Sequence, residues 1–275
     1  MFSVFRKRAP AEKPGAKPQP ASGGSKSSHF APNMNHPVIQ AGIDVTGTSW
    51  NAPGRMLPFF WRYRKPKSVG EYGCGPGNWL YFARRLGATT VHGFDIPELD
   101  ISDRTMSAEE FTAVDLSKEF LPHRRFDLAI STEVGEHLPI EAAPVFVRNL
   151  TWASDWVLFG AAAPYQGGLG HINENWLEFW AGLFADNGYV CYDILRLEFW
   201  HDAAIPHYYR QNTCLYVRRG SDQSLRDAGF TPTPCPPTLI HPEQYLAGAA
   251  VIPLHLNVAT KSMKMFYRLS KAPKP

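Results

Sequence analysis

A glycine-rich turn between a short apolar strand and an apolar helix constrains this chain more than any other feature. Residues 68–72 are predicted to form the strand, Gly73, Gly75 and Gly77 follow at alternate positions, and residues 78–86 have the apolar spacing of a helix. Glycine has no Cβ atom, so this turn permits left-handed torsions and a close approach to backbone N–H groups. The arrangement is typical of a ligand-binding turn at a helix N-terminus.

Predicted strands and helices alternate from about residue 66 to residue 218. The later strands are short runs rich in apolar and β-branched residues, at 90–94, 111–114, 126–131 and 156–161. Helices are predicted at 142–150 and 173–187, and a closing antiparallel pair of strands at 189–195 and 212–217. This order predicts an α/β fold in which a doubly wound, mostly parallel sheet is covered on both faces.

Three acidic residues, Glu71, Asp95 and Asp115, stand at or beside the ends of the first three predicted strands. The carboxyl ends of parallel strands form the edge where α/β folds bind ligands, and an acid about 20 residues after the turn can accept hydrogen bonds from ribose hydroxyls. Glu71 can receive an ammonium group and Asp115 an adenine amino group. The three acids favour a cationic adenosyl ligand and would repel phosphate, unless they merely face solvent around an ordinary tight turn.

Four segments carry a family resemblance. Ser68–Gly77 resembles the first motif of the class I S-adenosylmethionine-dependent methyltransferases, and Gly93–Ile96 is similar to their second-strand motif. Val114–Leu116 is similar to their adenine-binding motif, and residues 126–139 resemble the fourth-strand signature of the small-molecule branch. The resemblance covers about residues 66–218. It implies a Rossmann-like sheet of seven strands, one of them antiparallel, and S-adenosylmethionine as the cofactor.

The resemblance also assigns roles to single residues. It implies that the three glycines cradle the cofactor, that Asp95 holds its ribose and that Asp115 holds its adenine. The predicted cofactor-binding residues are Glu71, Gly73, Gly75, Gly77, Asp95, Ile96, Asp115, Leu116 and Thr132. Gly135 departs from the family pattern, because a bulky apolar residue is usual there; it either opens the substrate side or reflects local packing.

Two histidines are the predicted catalytic residues, because a neutral hydroxyl acceptor benefits from a general base near pH 7. His137 follows the fourth predicted strand, although it could equally cap a helix or pack. His171 lies in a loop that contains Gly167, Gly168 and Gly170 and that we expect to be mobile or closely approached. This loop resembles that of a bacterial subgroup associated with surface glycans and secondary metabolites.

Other polar and aromatic groups carry weaker signals. Asn173 is a candidate N-cap of the helix predicted at 173–187. Trp176 and Trp180 have helical spacing, for which core packing is the default and a sugar- or ring-binding pocket the alternative. His201, Asp202 and His207 lack the spacing of a metal site. We therefore predict that the protein requires no metal.

The two ends of the chain are basic. Residues 1–29 contain six Lys or Arg and one Glu, and residues 257–275 contain five basic residues and no acidic one. The body between them is acidic, so we expect no nucleic-acid partner. We predict a disordered basic tail rich in Pro and Ser at 1–36, a methyltransferase domain at 37–218, and an irregular extension at 219–275 that contains a basic helix candidate at 259–270. The tail is a candidate for docking to a partner or a membrane surface.

The sequence lacks a run of about 20 apolar residues that would span a bilayer. Its four cysteines are scattered, which suits a reducing compartment, so we expect the protein to be cytoplasmic. The leading functional hypothesis is methyl transfer from S-adenosylmethionine to an oxygen, or less favourably a nitrogen, of a small acceptor such as a sugar or glycan precursor. The alternatives are methylation of a protein or RNA, and a non-catalytic scaffold with the same fold.

Overall fold

A computed structural model describes residues 50–96 and 105–251, and the side chains of these residues as far as residue 246. All of them belong to one compact unit, Pro32–Pro275. The strands are β1 (Ser68–Tyr72), β2 (Thr90–Asp95), β3 (Phe111–Ala113), β4 (Leu128–Thr132), β5 (Trp156–Gly160), β6 (Tyr189–Tyr192) and β7 (Cys214–Arg218). They form a single sheet in the order β3-β2-β1-β4-β5-β7-β6.

The sheet confirms the predicted fold class. Strands β1 to β5 pair in parallel, and β7 runs antiparallel to both of its neighbours, β5 and β6. One of seven strands is therefore antiparallel. The first strand, β1, lies between β2 and β4, so that Glu71 stands beside Gly93 on one side and Ile130 on the other. The chain reverses its direction of winding at β1 and β4, where open α/β sheets bind ligands.

The described helices are α1 (Asn51–Phe60), α2 (Asn78–Arg85), α3 (Ala143–Ala153), α4 (Leu177–Asp186), α5 (Ile194–Phe199), α6 (His207–Asn212), α7 (Gln223–Asp227) and α8 (Pro242–Val251). Two clusters of buried apolar side chains cover the sheet. One contains Met56 and Phe60 of α1, and the other contains Phe146 of α3 and Phe184 of α4. Burying each such side chain stabilises the fold by about 1.5–3 kcal/mol relative to leaving it in water.

Helix α4 begins later than the sequence predicts, at Leu177 rather than at residue 173. The prediction of Asn173 as its N-cap is wrong, because the N-cap position is Trp176. Asn173 is instead buried, and its side-chain amide donates a hydrogen bond to the carbonyl oxygen of Gly135 at 3.2 Å. The side chain of Asn173 therefore makes a tertiary contact instead of the helix-capping hydrogen bond that the local pattern predicts.

The segment after β7 contains two helices, α7 and α8, within the extension that the sequence predicts to be irregular. The basic helix candidate at 259–270 and the predicted tail at 1–36 lie outside the described residues. In the part of the chain that the structure describes, every helix is too short or too polar to cross a membrane.

Candidate active site

The glycine turn, Gly73–Gly77, adopts the left-handed torsions that its sequence predicts. Gly73, Gly75 and Gly77 have φ values of 80°, 49° and 85°. The N–H groups of Gly73 and Cys74 donate to the carbonyl oxygen of Phe94 at 2.7 and 3.2 Å, which fastens the turn to β2. A Cβ atom at Gly73 would lie 2.2 Å from Cγ2 of Val134, whereas a Cβ atom at Gly75 would project into open space. The turn is thus tightly packed on one side and open on the other.

Asp95 ends β2 and holds the glycine turn from the side. One carboxylate oxygen accepts a hydrogen bond from the N–H of Gly75 at 2.7 Å, and the other accepts one from the N–H of Ile96 at 2.7 Å. Each oxygen keeps lone-pair capacity for a second donor. The structure therefore gives Asp95 a role in shaping the turn, beside the ribose-binding role that the family resemblance implies.

Glu71 lies at the buried end of β1, directly before the turn. Its oxygen Oε2 is shielded from solvent and accepts no hydrogen bond. Burial raises the pKa of this carboxyl well above its usual range; the amide of Leu80 acts in the opposite direction, and the charge of Asp95 raises the pKa further. A buried carboxyl with an unpartnered oxygen is suited to a cationic ligand, since an ammonium group would satisfy both its hydrogen bonding and its charge.

Of the other residues predicted to bind the cofactor, some lie at the surface and some are buried. Asp115 lies two residues beyond β3 and is bound by Ser117 and by Lys118 at 2.8 Å. These bonds, with that of Lys118 the strongest influence, lower the pKa of Asp115 to about 2. Leu116 and Thr132 are buried, and Ile96 is 48% exposed. All of them follow or end strands at the same edge of the sheet as the glycine turn.

A second group of side chains gathers next to the turn, after β4 and β5. We call it the polar cluster, and it consists of Glu133, Glu136, His137, Gln166, His171, Glu174 and Asn212. Val134, which contacts Gly73, belongs to the same loop as the first three members. The polar cluster therefore adjoins the glycine turn directly.

Glu133 is the centre of the polar cluster. It has a φ of 57°, which is uncommon for a residue other than glycine. Its two oxygens accept hydrogen bonds from the side-chain amides of Gln166 at 2.7 Å and Asn212 at 3.0 Å. Burial raises the pKa of this carboxyl, and the two amides act in the opposite direction. Such strained backbone persists where surrounding contacts hold it, and it is frequent in active sites.

His171 and Glu174 form a hydrogen-bonded pair within the polar cluster. Nδ1 of His171 lies 2.9 Å from a carboxylate oxygen of Glu174. The same carboxylate accepts the N–H groups of Tyr165 at 2.8 Å and Gly167 at 2.7 Å, which fixes its orientation. Gly168 leaves room for the imidazole, because a Cβ atom there would lie 2.3 Å from Nε2. Gly168 is therefore the glycine of this loop that the imidazole ring of His171 approaches closely.

His137 reaches the same place from the loop after β4. Its Nδ1 lies 3.2 Å from the carbonyl oxygen of Gly170, and its ring meets that of His171 edge to face with centroids 4.9 Å apart. The structure thus brings together both histidines that the sequence predicts as catalytic. The side chain of His137 is exposed, so it does not pack in the core.

Glu136 is the buried member of the polar cluster. It has no exposed surface, and its carboxyl group faces the backbone amides of Glu136 and Ala162 and the carboxyl group of Glu133. Burial and the neighbouring charge of Glu133 raise its pKa to about 9. The sequence analysis missed this residue, although its position beside His137 in the fourth-strand signature was a usable signal.

Gly135 and the two tryptophans have structural explanations. A Cβ atom at Gly135 would lie 2.8 Å from Trp180, which is fully buried against Phe159. Local packing therefore accounts for the small residue, and Trp180 is a core residue. Trp176 is 39% exposed and borders an open cleft. The other residues that line this cleft are Ala163, Leu177, Gln211, Asn212, Thr238 and Leu239.

Asp202 and His207, which the sequence spacing excludes as metal ligands, make their contacts outside the polar cluster. Asp202 pairs with Arg55 at 3.1 Å, and His207 lies 3.8 Å from a carboxylate oxygen of Glu243. Glu243 also binds Arg210, which donates to its other oxygen at 2.7 Å. The contacts of Glu243 join helix α8 to helix α6 and serve the packing of the segment after β7.

Comparison with known proteins gives the family. The model of a methyltransferase domain family matches residues 52–234. A ribosomal protein L11 methyltransferase of Methylobacillus flagellatus is 30% identical over 169 residues, which cover 58% of this chain and 56% of that protein. The chain thus matches little more than half the length of this curated relative.

Three solved structures illustrate the similarity of the fold. Streptomyces venezuelae DesVI is 13% identical with a TM-score of 0.48, over 62% of this chain and 93% of that one. Magnesium protoporphyrin IX methyltransferase from Synechocystis PCC 6803 is 18% identical with a TM-score of 0.46, over 61% and 81%. Human N-acetylserotonin methyltransferase is 16% identical with a TM-score of 0.44, over 62% and 52%.

The family model covers the glycine turn, the acidic strand ends and the polar cluster together. The family and the cofactor predicted from the sequence motifs are therefore confirmed: the chain belongs to the methyltransferase domain family, which uses S-adenosylmethionine.

Proposed function

We propose that this protein methylates a hydroxyl oxygen of a small acceptor, with a sugar or glycan precursor as the first candidate. The observation that carries the proposal is the hydrogen bond of 2.9 Å between His171 and Glu174, in a cluster that adjoins the glycine turn. A hydroxyl group must lose a proton when its oxygen is methylated, so a positioned base distinguishes a site for oxygen acceptors.

The cofactor side of the site consists of the glycine turn with Glu71, Asp95 and Asp115. When bound, S-adenosylmethionine supplies a methyl group on a positively charged sulfur. The unpartnered oxygen of Glu71 would receive its ammonium group, and the open side of Gly75 leaves room for its backbone to be approached. Asp95, already bonded to the turn, has lone pairs left for ribose hydroxyls. These residues bind and orient, and none of them moves a proton.

The acceptor side is the polar cluster, where His171 would take the proton. A carboxylate only accepts hydrogen bonds, so the proton of the neutral ring lies on Nδ1, facing Glu174. The lone pair is then on Nε2, which is the atom available to a hydroxyl group. Glu174 also stabilises the imidazolium that forms, much as a carboxylate does in a catalytic triad. His137, whose ring contacts that of His171, would hydrogen-bond the acceptor.

Calorimetry with S-adenosylmethionine tests the cofactor side. The wild type should bind one molecule, and Asp95→Ala should lose most of the affinity. Asp186→Ala, which removes an exposed carboxylate at the end of α4, is the matched control and should bind like the wild type. An absence of binding by the wild type, or equal binding by Asp95→Ala, would contradict the assignment.

Transfer of a labelled methyl group tests the acceptor side. The acceptor would be identified by mass spectrometry of compounds that copurify with the protein or gain the label. We expect a small hydroxyl compound to be labelled by the wild type, with a large loss of rate in His171→Ala. Labelling of nitrogen alone, or a His171→Ala variant as fast as the wild type, would overturn the proposal.

A second candidate function is methylation of a protein, because the curated relative is a ribosomal protein L11 methyltransferase. The basic residues at 1–29 and 257–275 would then attract an acidic or RNA-bound partner. This candidate predicts acceptor binding that weakens steeply with salt and disappears when residues 1–36 are deleted. Transfer to a small acceptor that is unchanged by the deletion would favour the first proposal.

A further inference from the structure

We infer that Glu136, His137 and His171 form a binding site for a divalent transition-metal ion of the zinc class. The inference rests on the proposed function only for its place beside the acceptor. One possible ligand atom from each of the three residues lies within 4.8 Å of the others. Two imidazoles and one carboxylate are a ligand set that zinc takes in catalytic sites, where a fourth position stays open.

Backbone hydrogen bonds preassemble these three ligands. Glu136 and His137 belong to a short turn, residues 135–137, that follows β4, and His171 comes from the loop after β5. The N–H groups of Ile172 and Asn173 both donate to the carbonyl oxygen of Glu136, at 2.9 and 3.0 Å. This pair of bonds joins the two loops directly beside the ligands, so binding an ion would need little rearrangement.

Both histidines make a hydrogen bond through Nδ1 that favours Nε2 as the metal-binding atom. The Nδ1 atom of His137 faces the carbonyl oxygen of Gly170, and that of His171 faces the carboxylate of Glu174. Carbonyl and carboxylate oxygens accept hydrogen bonds, so each neutral ring carries its proton on Nδ1 and its lone pair on Nε2. Metal-binding histidines commonly donate their second ring nitrogen to such an oxygen, which orients the ring.

The buried carboxylate of Glu136 is an independent observation that points to a cation. It has no exposed surface, and the carboxyl group of Glu133 lies against it together with the backbone amides of Glu136 and Ala162. Two buried carboxyl groups side by side are costly to ionise, because each loses its hydration and repels the charge of the other. A bound cation would compensate that charge. Glu136 is the one of the pair that is available to it, since the oxygens of Glu133 already accept hydrogen bonds from Gln166 and Asn212.

A metal ion at this place would change the role of His171. Its Nε2 lone pair would bind the ion, and an acceptor hydroxyl at the open coordination position would ionise more readily and release its proton to solvent. The methyl acceptor would still be an oxygen, as in the proposed function, but the ion would replace His171 as the group that promotes loss of the hydroxyl proton. A metal site here departs from the prediction of a metal-free protein. That prediction did not combine these three residues, because His137 and His171 are 34 residues apart in the sequence.

The test is calorimetric titration of the full chain with zinc chloride after removal of metals by a chelator. The wild type should bind one ion, and cobalt(II) bound at the same site should show an absorption spectrum of low coordination number. His137→Ala changes an exposed side chain, so folding should not be at issue, and Glu136→Gln keeps the side-chain shape. Each should weaken binding by at least about tenfold. The exposed His201→Ala is the matched control and should bind like the wild type.

An absence of saturable binding by the wild type would overturn the inference, as would equal binding by His137→Ala and Glu136→Gln. Methyl transfer measured on the same samples separates this outcome from failure of the proposed function. Transfer that proceeds unchanged in protein shown to be free of metal contradicts the metal site alone. A bound ion in a protein that transfers no methyl group contradicts the proposed acceptor chemistry alone.

Discussion

The glycine turn is shaped by backbone torsions, whereas the polar cluster beside it is shaped by hydrogen bonds between side chains. The turn uses residues 71–77 and the end of β2, which are close in the sequence. The polar cluster joins loops after β4 and β5 to Asn212 at the end of α6, and Asn212 is 79 residues from Glu133. The glycine turn, where the cofactor is expected, is thus built from residues close in the sequence. The polar cluster, where the acceptor is proposed to bind, is built from side chains that are distant in the sequence.

This difference predicts two kinds of response to mutation. A change in the glycine turn should disturb the fold and the cofactor together, because the turn is also the junction of β1, β2 and α2. A change in the polar cluster should leave both intact and alter only the chemistry. The following experiments test this separation, from the largest expected effect to the smallest.

Gly73→Ala should destabilise the protein by about 2–5 kcal/mol, the sum of a left-handed torsion and overpacking against Val134. Gly167→Ala is the matched variant, because its φ of 70° is also left-handed but a Cβ atom there meets nothing within 4 Å. It should cost no more than about 1–2 kcal/mol. Urea unfolding measures both values. Equal losses would show that the packing of the turn against the loop after β4 is unimportant.

Glu71→Gln should weaken S-adenosylmethionine by about ten- to a hundredfold, since it removes one charged hydrogen-bond partner. It should also change how stability depends on pH. The pKa of Glu71 is raised in the folded state, so its contribution to wild-type stability declines as pH rises from the ordinary carboxyl pKa towards the folded one. The variant lacks this decline and should gain on the wild type between acidic and neutral pH.

Calorimetry and unfolding curves at two pH values check these outcomes. Glu178→Gln removes an exposed carboxylate on α4 and is the control for both. Unchanged affinity in Glu71→Gln would mean that the buried oxygen does not meet the cofactor.

Glu174→Gln should lower kcat by about tenfold or more while the affinity for S-adenosylmethionine stays that of the wild type. The amide cannot replace the charged partner of His171, and a charged hydrogen bond contributes about 1.5–3 kcal/mol. Steady-state assays with the identified acceptor, alongside calorimetry, separate the two quantities. Parallel losses of kcat and cofactor affinity would break the distinction between the turn and the polar cluster.

Asp115→Asn should have the smallest effect on stability, less than about 1 kcal/mol, because its pair with Lys118 lies at the surface. The pKa of Asp115 is lowered to about 2, so this small contribution is present above the ordinary carboxyl pKa and is lost only as pH falls towards that value. Unfolding curves at neutral and acidic pH measure it. A reduced affinity for the cofactor in this variant would support the adenine-binding role.

The sequence was sufficient for the sheet and the glycine turn because their signals are local. Strand β1 occupies the predicted residues, and the turn has the torsions that its glycines allow. The start of α4 was placed four residues too early, because the side chain of Asn173 bonds to Gly135 instead of capping the helix. The local sequence indicates a residue type that can cap a helix, but it carries no information about a tertiary hydrogen-bond partner such as Gly135.

The polar cluster was predictable only in part. His137 and His171 were identified from their loops, and the structure brings them into contact. The roles of Gln166 and Asn212 as partners of Glu133 depend on pairings across 33 and 79 residues, for which a single sequence carries no local signal. The position of Glu136 beside His137 was a usable signal, but its burial was not predictable, since its environment is formed by loops that meet only in the folded sheet.

The position of β7 between β5 and β6 has a consequence for synthesis on the ribosome. Strand β6 is made before β7 but lies outside it, so β5 and β6 cannot join one sheet until the last strand is complete. Domains form from the N-terminus as the chain emerges. The glycine turn can therefore assemble on a nascent chain before Glu133 has its hydrogen bond from Asn212, the residue two positions before β7. A chain released before this point would carry the cofactor half of an enzyme and an open sheet edge.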